Sequence, residues 1–198
     1  MNARDEVLAR VRRAKGGAAG PVPRAYRAAG SRGPGDVDLF AERLRDYRAR
    51  VRVVPAAELG EAVATALRDR GARRVVAAPG VPLDWAPGAT RAPVDVDALE
   101  RADAVLTACH VAVAETGTIV LDHAAADQGP RALTLVPDYH LVVVRADQVV
   151  AGVPDAVAAL AGVATQTWIS GPSATSDIEL ERVEGVHGPR TLEVVIAL

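Results

Sequence analysis

The chain has 198 residues, 49% apolar and 24% charged, a globular composition with enough bulk for one core of ordinary size. Its formal net charge of −2 comes with both signs interspersed, which excludes the basic stripe that holds long nucleic acid. With two Trp, three Tyr and one Phe, the core has to be built from Ala, Val, Leu and Ile.

The opening Met1-Asn-Ala-Arg-Asp-Glu6 is polar and leads into no signal-type apolar stretch. No run approaches the ~20 apolar residues of a membrane span. A cytoplasmic protein is therefore expected. Residues 4–14 read as a short helix with Val7, Leu8 and Val11 on one face. From Lys15 to Asp36 the chain is dense in Gly and Pro, so it can hold no helix and has little to bury. This stretch is either a plain linker or an extended arm whose Pro21-Val-Pro-Arg-Ala-Tyr-Arg27 covers a site or a partner subunit. The expected division is residues 1–36 as a helix and arm, and residues 37–198 as one α/β domain.

Asp36 or Asp38 can cap the next helix, with Leu39, Phe40, Leu44 and Tyr47 inward. Its arginines (Arg43, Arg45, Arg48, with Arg50 and Arg52 beyond) mix with Asp38, Glu42 and Asp46 and read as a solvated face. Val51–Val54 is a strand, and Glu58–Arg70 is an amphipathic helix that Gly71 stops. Arg73–Ala78 is an apolar strand, followed by the loop Pro79–Pro82. Alternating strand and helix point to a parallel sheet with helices on its faces, an α/β fold. The second half is richer in strands: Ala104–Thr107, Thr118–Leu121, Ala132–Val136 and Leu141–Val144. A helix follows at Pro154–Ala161, then strands at Thr167–Ser170 and Thr191–Ala197.

Four segments can carry chemistry. In Ala114-Glu-Thr-Gly-Thr118, a carboxylate sits between apolar runs, where it needs either hydrogen-bond partners or a cleft. Glu115 is thus a structural carboxylate or a catalytic one at the carboxyl ends of the strands, where open α/β sheets bind ligands. Thr116 and Gly117 flank it, and Gly117 permits a tight turn or a close approach. In Ile169-Ser-Gly-Pro-Ser-Ala-Thr-Ser-Asp-Ile-Glu179, a strand ends and a helix is expected to begin. Ser170, Gly171, Ser173, Thr175, Asp177 and Glu179 there suit an anion site or simply a capped helix start. In Gly185-Val-His-Gly-Pro189, His187 and Gly188 lie on a turn. In Pro137-Asp-Tyr-His140, His140 either completes a site or satisfies a backbone group. Cys109 adjoins His110, and on a strand the two would face opposite ways, so Cys109 reads as a core thiol. None of the four histidines falls in a metal spacing, and no metal site is expected.

These segments, in this order and spacing, resemble the lactate-utilisation protein C (LUD-domain) family. The pair Ser170–Glu179 and Gly185–Pro189 is the most specific part, and the likeness runs from about Val51 to Leu198, which makes residues 37–198 a LUD-type domain. The resemblance implies a three-layer sheet with helices on both faces, similar to the ribose-5-phosphate isomerase and CoA-transferase superfamily. It also implies a part in bacterial oxidation of L-lactate to pyruvate beside iron–sulfur partner proteins. A longer family member carries cluster-binding cysteines. This chain has one cysteine, so it resembles the short, cluster-free member and no cofactor of its own is expected. In CoA-transferase relatives a Glu attacks a thioester, and Glu115 is similar in position, although the transferase glycine pattern is missing. Two classes stay open. One is a component of a lactate-oxidising system that binds a small carboxylate or a partner surface. The other is a free-standing enzyme or binding protein for a phosphorylated or CoA-linked carboxylate.

Overall fold

The computed structural model describes residues 2–16, 20–175, 183–185 and 187–198. Helix α1 (Ala3–Ala14) is capped by Asn2, whose side chain accepts the Asp5 N–H at 2.9 Å. Nothing on α1 is buried, so Val7, Leu8 and Val11 form an apolar stripe in solvent rather than a packed face. Residues 20–34 are exposed throughout. Helix α2 (Val37–Asp46) is the first to pack, through Phe40, Ala41 and Leu44. Asp36 caps it by accepting the Leu39 N–H at 3.0 Å. The helix ends before Tyr47, which is 47% exposed instead of inward.

Strands and helices then alternate: β1 (Arg50–Val54), α3 (Leu59–Asp69), β2 (Val75–Ala77), β3 (Thr90–Arg91), α4 (Val96–Glu100) and β4 (Ala104–Thr107). The second half adds β5 (Val111–Val113), β6 (Thr118–Asp122), β7 (Tyr139–Arg145), β8 (Val149–Val150), α5 (Val153–Ala159), β9 (Gln166–Ile169), β10 (Ala174–Thr175), β11 (Val183–Glu184) and β12 (Thr191–Ala197). Six strands make one parallel sheet in the order β1-β12-β7-β4-β2-β3. Buried on both faces, its central strands read as unbroken apolar runs, as parallel strands do.

One face packs under α3 and α4, where Val63, Ala66 and Leu99 meet Val105, Leu141, Val143 and Val195. The other face packs under α2 and a second sheet, where Phe40 and Leu44 meet Val142, Val144, Val194, Ile196, Ile119 and Leu121. That second sheet, in the order β8-β5-β6-β9, is mixed in direction. Helix α5 closes its far side through Ala156 and Leu160 against Val111, Val113 and Val120. The α/β architecture with helices on both faces is the one expected. The small sheet is an addition: Val111–Val113 read only as core, and β8 is too short to show a period.

Two segments differ from their sequence reading. Ala132–Val136 is not a strand. Between Pro130 and Pro137 the chain makes a tight helical turn over Arg131–Thr134, and the N–H groups of Leu133 and Val136 bond back to Pro130 and Ala132. Closing these bonds locally leaves few donors for a ladder. The residues after Ser173 enter β10, which pairs antiparallel with β11, instead of a helix. The Ser176–Glu179 capping box lies outside the described residues.

Gly117 turns the chain between β5 and β6 with φ +61°, and a Cβ there would come within 2.8 Å of Arg43 Cβ on α2. Both the left-handed backbone and the close approach need glycine. Gly117→Ala is expected to cost about 1–3 kcal/mol, read as a lowered midpoint in urea unfolding without a change of slope.

Candidate functional site

Three of the motif segments meet at the amino ends of β7 and β12. Asp138, just before β7, receives both arms of Arg190, just before β12: Nε at 2.8 Å and Nη2 at 2.6 Å. Its backbone carbonyl also accepts the Thr191 N–H at 3.0 Å. This bidentate pair holds the Asp138 carboxyl below its ordinary range. Ser173 ties in the third segment. Its N–H donates to the Pro189 carbonyl at 2.8 Å, and its Oγ accepts the His187 N–H at 3.0 Å.

Between these segments and the edge strand β9 lies a cavity of about 330 Å³. Its walls are Thr167–Ser170 on one side, Gly171–Ala174 and His187–Pro189 on another, and Arg131, Thr134, His140 and Leu192 at the base of the large sheet. Six expected site residues therefore share one cavity: His140, Ser170, Gly171, Ser173, His187 and Gly188. The cavity lies at the amino ends of β7 and β12, not at the carboxyl ends where open α/β sheets usually bind. Thr175 lies in β10, one residue beyond the wall; Asp177 and Glu179 lie outside the described residues.

Gly171 has φ +88° and runs so close to Tyr47 that a Cβ would sit 2.8 Å from Tyr47 Cβ. The turn thus brings the Ser170–Ser173 backbone against the end of α2. Ser170 Oγ shares a hydrogen bond with Thr118 Oγ1 at 2.7 Å, and Thr118 shares one with Thr116 Oγ1 at 2.6 Å. A row of hydroxyls so links the Glu115 turn to the cavity wall. His140 is almost wholly buried, with Nε2 2.8 Å from Thr107 Oγ1. Burial, with a smaller push from the Arg131 charge, lowers its pKa to about 3, so it is a neutral imidazole at ordinary pH.

Glu115 itself is not on the cavity wall. Its carboxylate is clasped by the arm: Arg27 donates to both oxygens, at 2.6 and 3.3 Å, and Arg32 donates at 3.0 Å. The Arg27 hydrogen bond chiefly holds the Glu115 carboxyl below its ordinary range. The Gly30 N–H donates to Asp155 at the start of α5, and Pro34 bridges to Val150. Cys109 is buried, its thiol donating to Gln148 Oε1 at 3.5 Å, and burial pushes its pKa up. Among the described residues, no three of His, Cys, Asp and Glu are grouped to hold a metal.

Sequence reasoning missed Arg131, Trp168, Asp138 and the arm arginines. Asp138 lay inside a segment already singled out, and its pairing with Arg190 brings the third and fourth segments together. Arg131 sat at the edge of a stretch read as a strand.

Two measurements follow from this geometry. Glu115→Gln removes the charge that holds Arg27 and Arg32, so trypsin is expected to cut the arm several-fold faster. Unfolding should hardly shift, because part-exposed ion pairs contribute about 0–1 kcal/mol. With its folded pKa below the ordinary 4.5, Glu115 holds the clasp above that value and releases it as pH falls through the lower one. For His140 the unfolded chain binds a proton near pH 6.5 and the folded one only near 3. Stability from this group is intact above 6.5 and falls as pH drops through that window. Urea unfolding between pH 7 and 5 should show this slope, and His140→Gln should flatten it.

Comparison with known proteins places this geometry in a family. The model of the LUD domain matches residues 94–197. "Lactate utilization protein C" of Deinococcus radiodurans is 51% identical over 166 residues, covering 79% of this chain and 77% of that protein. The Bacillus subtilis protein of the same name is 30% identical over 118 residues, covering 56% of this chain and 48% of that one. The crystal structure of a DUF162 family protein from Deinococcus radiodurans superposes with a TM-score of 0.71 at 44% identity, covering 82% of this chain and 96% of that chain. The chain belongs to the LUD domain family.

Proposed function

We propose that this protein is a cluster-free component of bacterial L-lactate utilisation, working in the cytoplasm beside iron–sulfur proteins that oxidise L-lactate to pyruvate. The observation that carries this reading is the 51% identity, over 79% of the chain, to a protein named for lactate utilisation. The chemistry of the chain agrees. Oxidising lactate releases two electrons and two protons, and a cluster that accepts such electrons needs about four ligands. The chain offers one cysteine, buried and with a raised thiol pKa. In this reading the electrons leave through a partner, and the family domain binds a carboxylate ligand, a partner surface or both. No helix among the described residues is long and apolar enough to cross a membrane. Residues 1–36 then serve as an arm docked on the 37–198 domain through Glu115.

A second reading is a free-standing enzyme or binding protein for a phosphorylated or CoA-linked carboxylate, with Glu115 as its reactive carboxylate. The hydroxyl row Thr116–Thr118–Ser170 favours it, because it joins the Glu115 turn to the cavity. Attack by Glu115 would first require Arg27 and Arg32 to let go.

Gene deletion separates the two. The deleted strain is expected to lose growth on L-lactate as sole carbon source while growing normally on pyruvate, and tagged protein should co-purify with iron–sulfur partners. Normal growth of the deleted strain on L-lactate would overturn the first reading. Thioester exchange by the purified chain, abolished by Glu115→Gln, would establish the second.

A further inference from the structure

We infer that Arg131 anchors a single carboxylate in the cavity at the amino ends of β7 and β12, and that the ligand is a small organic acid.

Arg131 is half-buried on the cavity wall, and its Nη1 donates to Thr134 Oγ1 at 3.3 Å. Among the described residues it has no carboxylate partner. The cavity's other neighbouring guanidinium, Arg190, is already joined to Asp138 in a bidentate pair. A partly desolvated cation costs free energy unless an anion meets it. His140 beside it is held neutral, so it neither competes for that anion nor supplies a second positive charge.

Hydrogen-bond capacity agrees. Ser173 Oγ accepts the His187 N–H, and among the described residues no acceptor takes its own proton. Arg131 and Ser173 therefore present donors to the same space, as an oxyanion requires. Ile169 and Leu192, on the side that faces the large sheet, give the cavity an apolar wall for the ligand's body.

Size and charge select the class. About 330 Å³ is at the small end of ligand clefts, which span roughly 300–1,000 Å³. Arg131 is the one Arg or Lys among the described wall residues, and one guanidinium matches one carboxylate through two parallel bonds. A phosphate dianion or the phosphates of CoA would call for more cations than the described wall residues carry. Using lactate and its oxidation product as probes rests on the lactate-utilisation reading; the Arg131 anchor does not.

The test is calorimetric titration of the full chain with L-lactate, pyruvate and inorganic phosphate. Saturable binding of at least one of the two acids is expected, weakened about tenfold or more in Arg131→Met. Arg131→Lys should fall between the two, since it keeps the charge and loses the fork. Ser173→Ala should weaken binding as well, and these two variants decide the matter if Arg131→Met does not fold. The inference is overturned if neither acid saturates the wild-type chain at millimolar concentrations. It is equally overturned if Arg131→Met and Arg131→Lys bind like wild type, or if phosphate binds more tightly than both acids in an Arg131-dependent way. Growth on L-lactate keeps the two ideas apart. If the deleted strain fails to grow but no acid binds, the cavity assignment falls and the lactate role stands. If acids bind through Arg131 while the deleted strain grows normally, the role falls and the site stands.

Discussion

The pairing of β7 with β12 is the constraint on which the rest depends. The strands run parallel in register from Tyr139 beside Thr191 to Arg145 beside Ala197. Their side chains alternate between two cores: Leu141, Val143 and Val195 go to one, and Val142, Val144, Val194 and Ile196 to the other. A slip by one residue would exchange the two sets and place both in the wrong layer. The register also carries one buried carboxylate. Glu193 sits on β12 with the Tyr139 hydroxyl donating at 3.0 Å and Arg52 Nε donating at 2.7 Å. Removing either partner would leave a buried charge poorly matched, a far greater loss than a surface pair could cause. This pairing fixes where residues 138 and 190 meet, and so where the cavity opens.

The second sheet gives the cavity its other wall. β6 and β9 pair antiparallel from Ile119 beside Ile169 to Asp122 beside Gln166, which places Ser170 next to Thr118. Further along, His123 stands between the Gly129 carbonyl, at 2.8 Å from Nδ1, and Thr167 Oγ1, at 2.6 Å from Nε2. The cavity is thus a joint between two sheets whose strands run in different senses. Polar side chains gather at that joint because neither sheet can extend its apolar ladder across it.

Much of this was legible in the sequence where a segment is long or carries turn chemistry. Thr191–Ala197 read as a buried strand because seven residues with few polar interruptions fit little else. Asp36 read as a cap from its place before an apolar period. The two-residue elements β3, β8 and β10 carry no period and were invisible. Val111–Val113 was apolar on every residue, which marks burial but not an element. At the site, the motif segments singled out Ser170, Ser173, His140 and His187, each for its own chemistry, and the fold lines all four around one cavity. Glu115 was singled out as a carboxylate needing partners; the segment that supplies them, Arg27 and Arg32, could be read from its Gly and Pro content only as a linker or a covering arm, with no particular contact legible. Arg131 was hidden by the opposite error, a β-rich composition that prolines at both ends converted into a turn.

The chain's basic character is almost entirely arginine: Lys15 is its one lysine, and it caps the end of the solvent-exposed α1. Amine-directed chemistry therefore has one side-chain target in this sequence, Lys15, at the end of a helix that contributes nothing to either core. A fluorophore, biotin or bead attached through amines leaves every wall of the cavity chemically untouched. The same asymmetry gives direction to covalent capture of assemblies: an amine-to-carboxyl linker that joins this chain to another protein through its lysine reports contact at α1, and a complex formed only over the cavity would escape it.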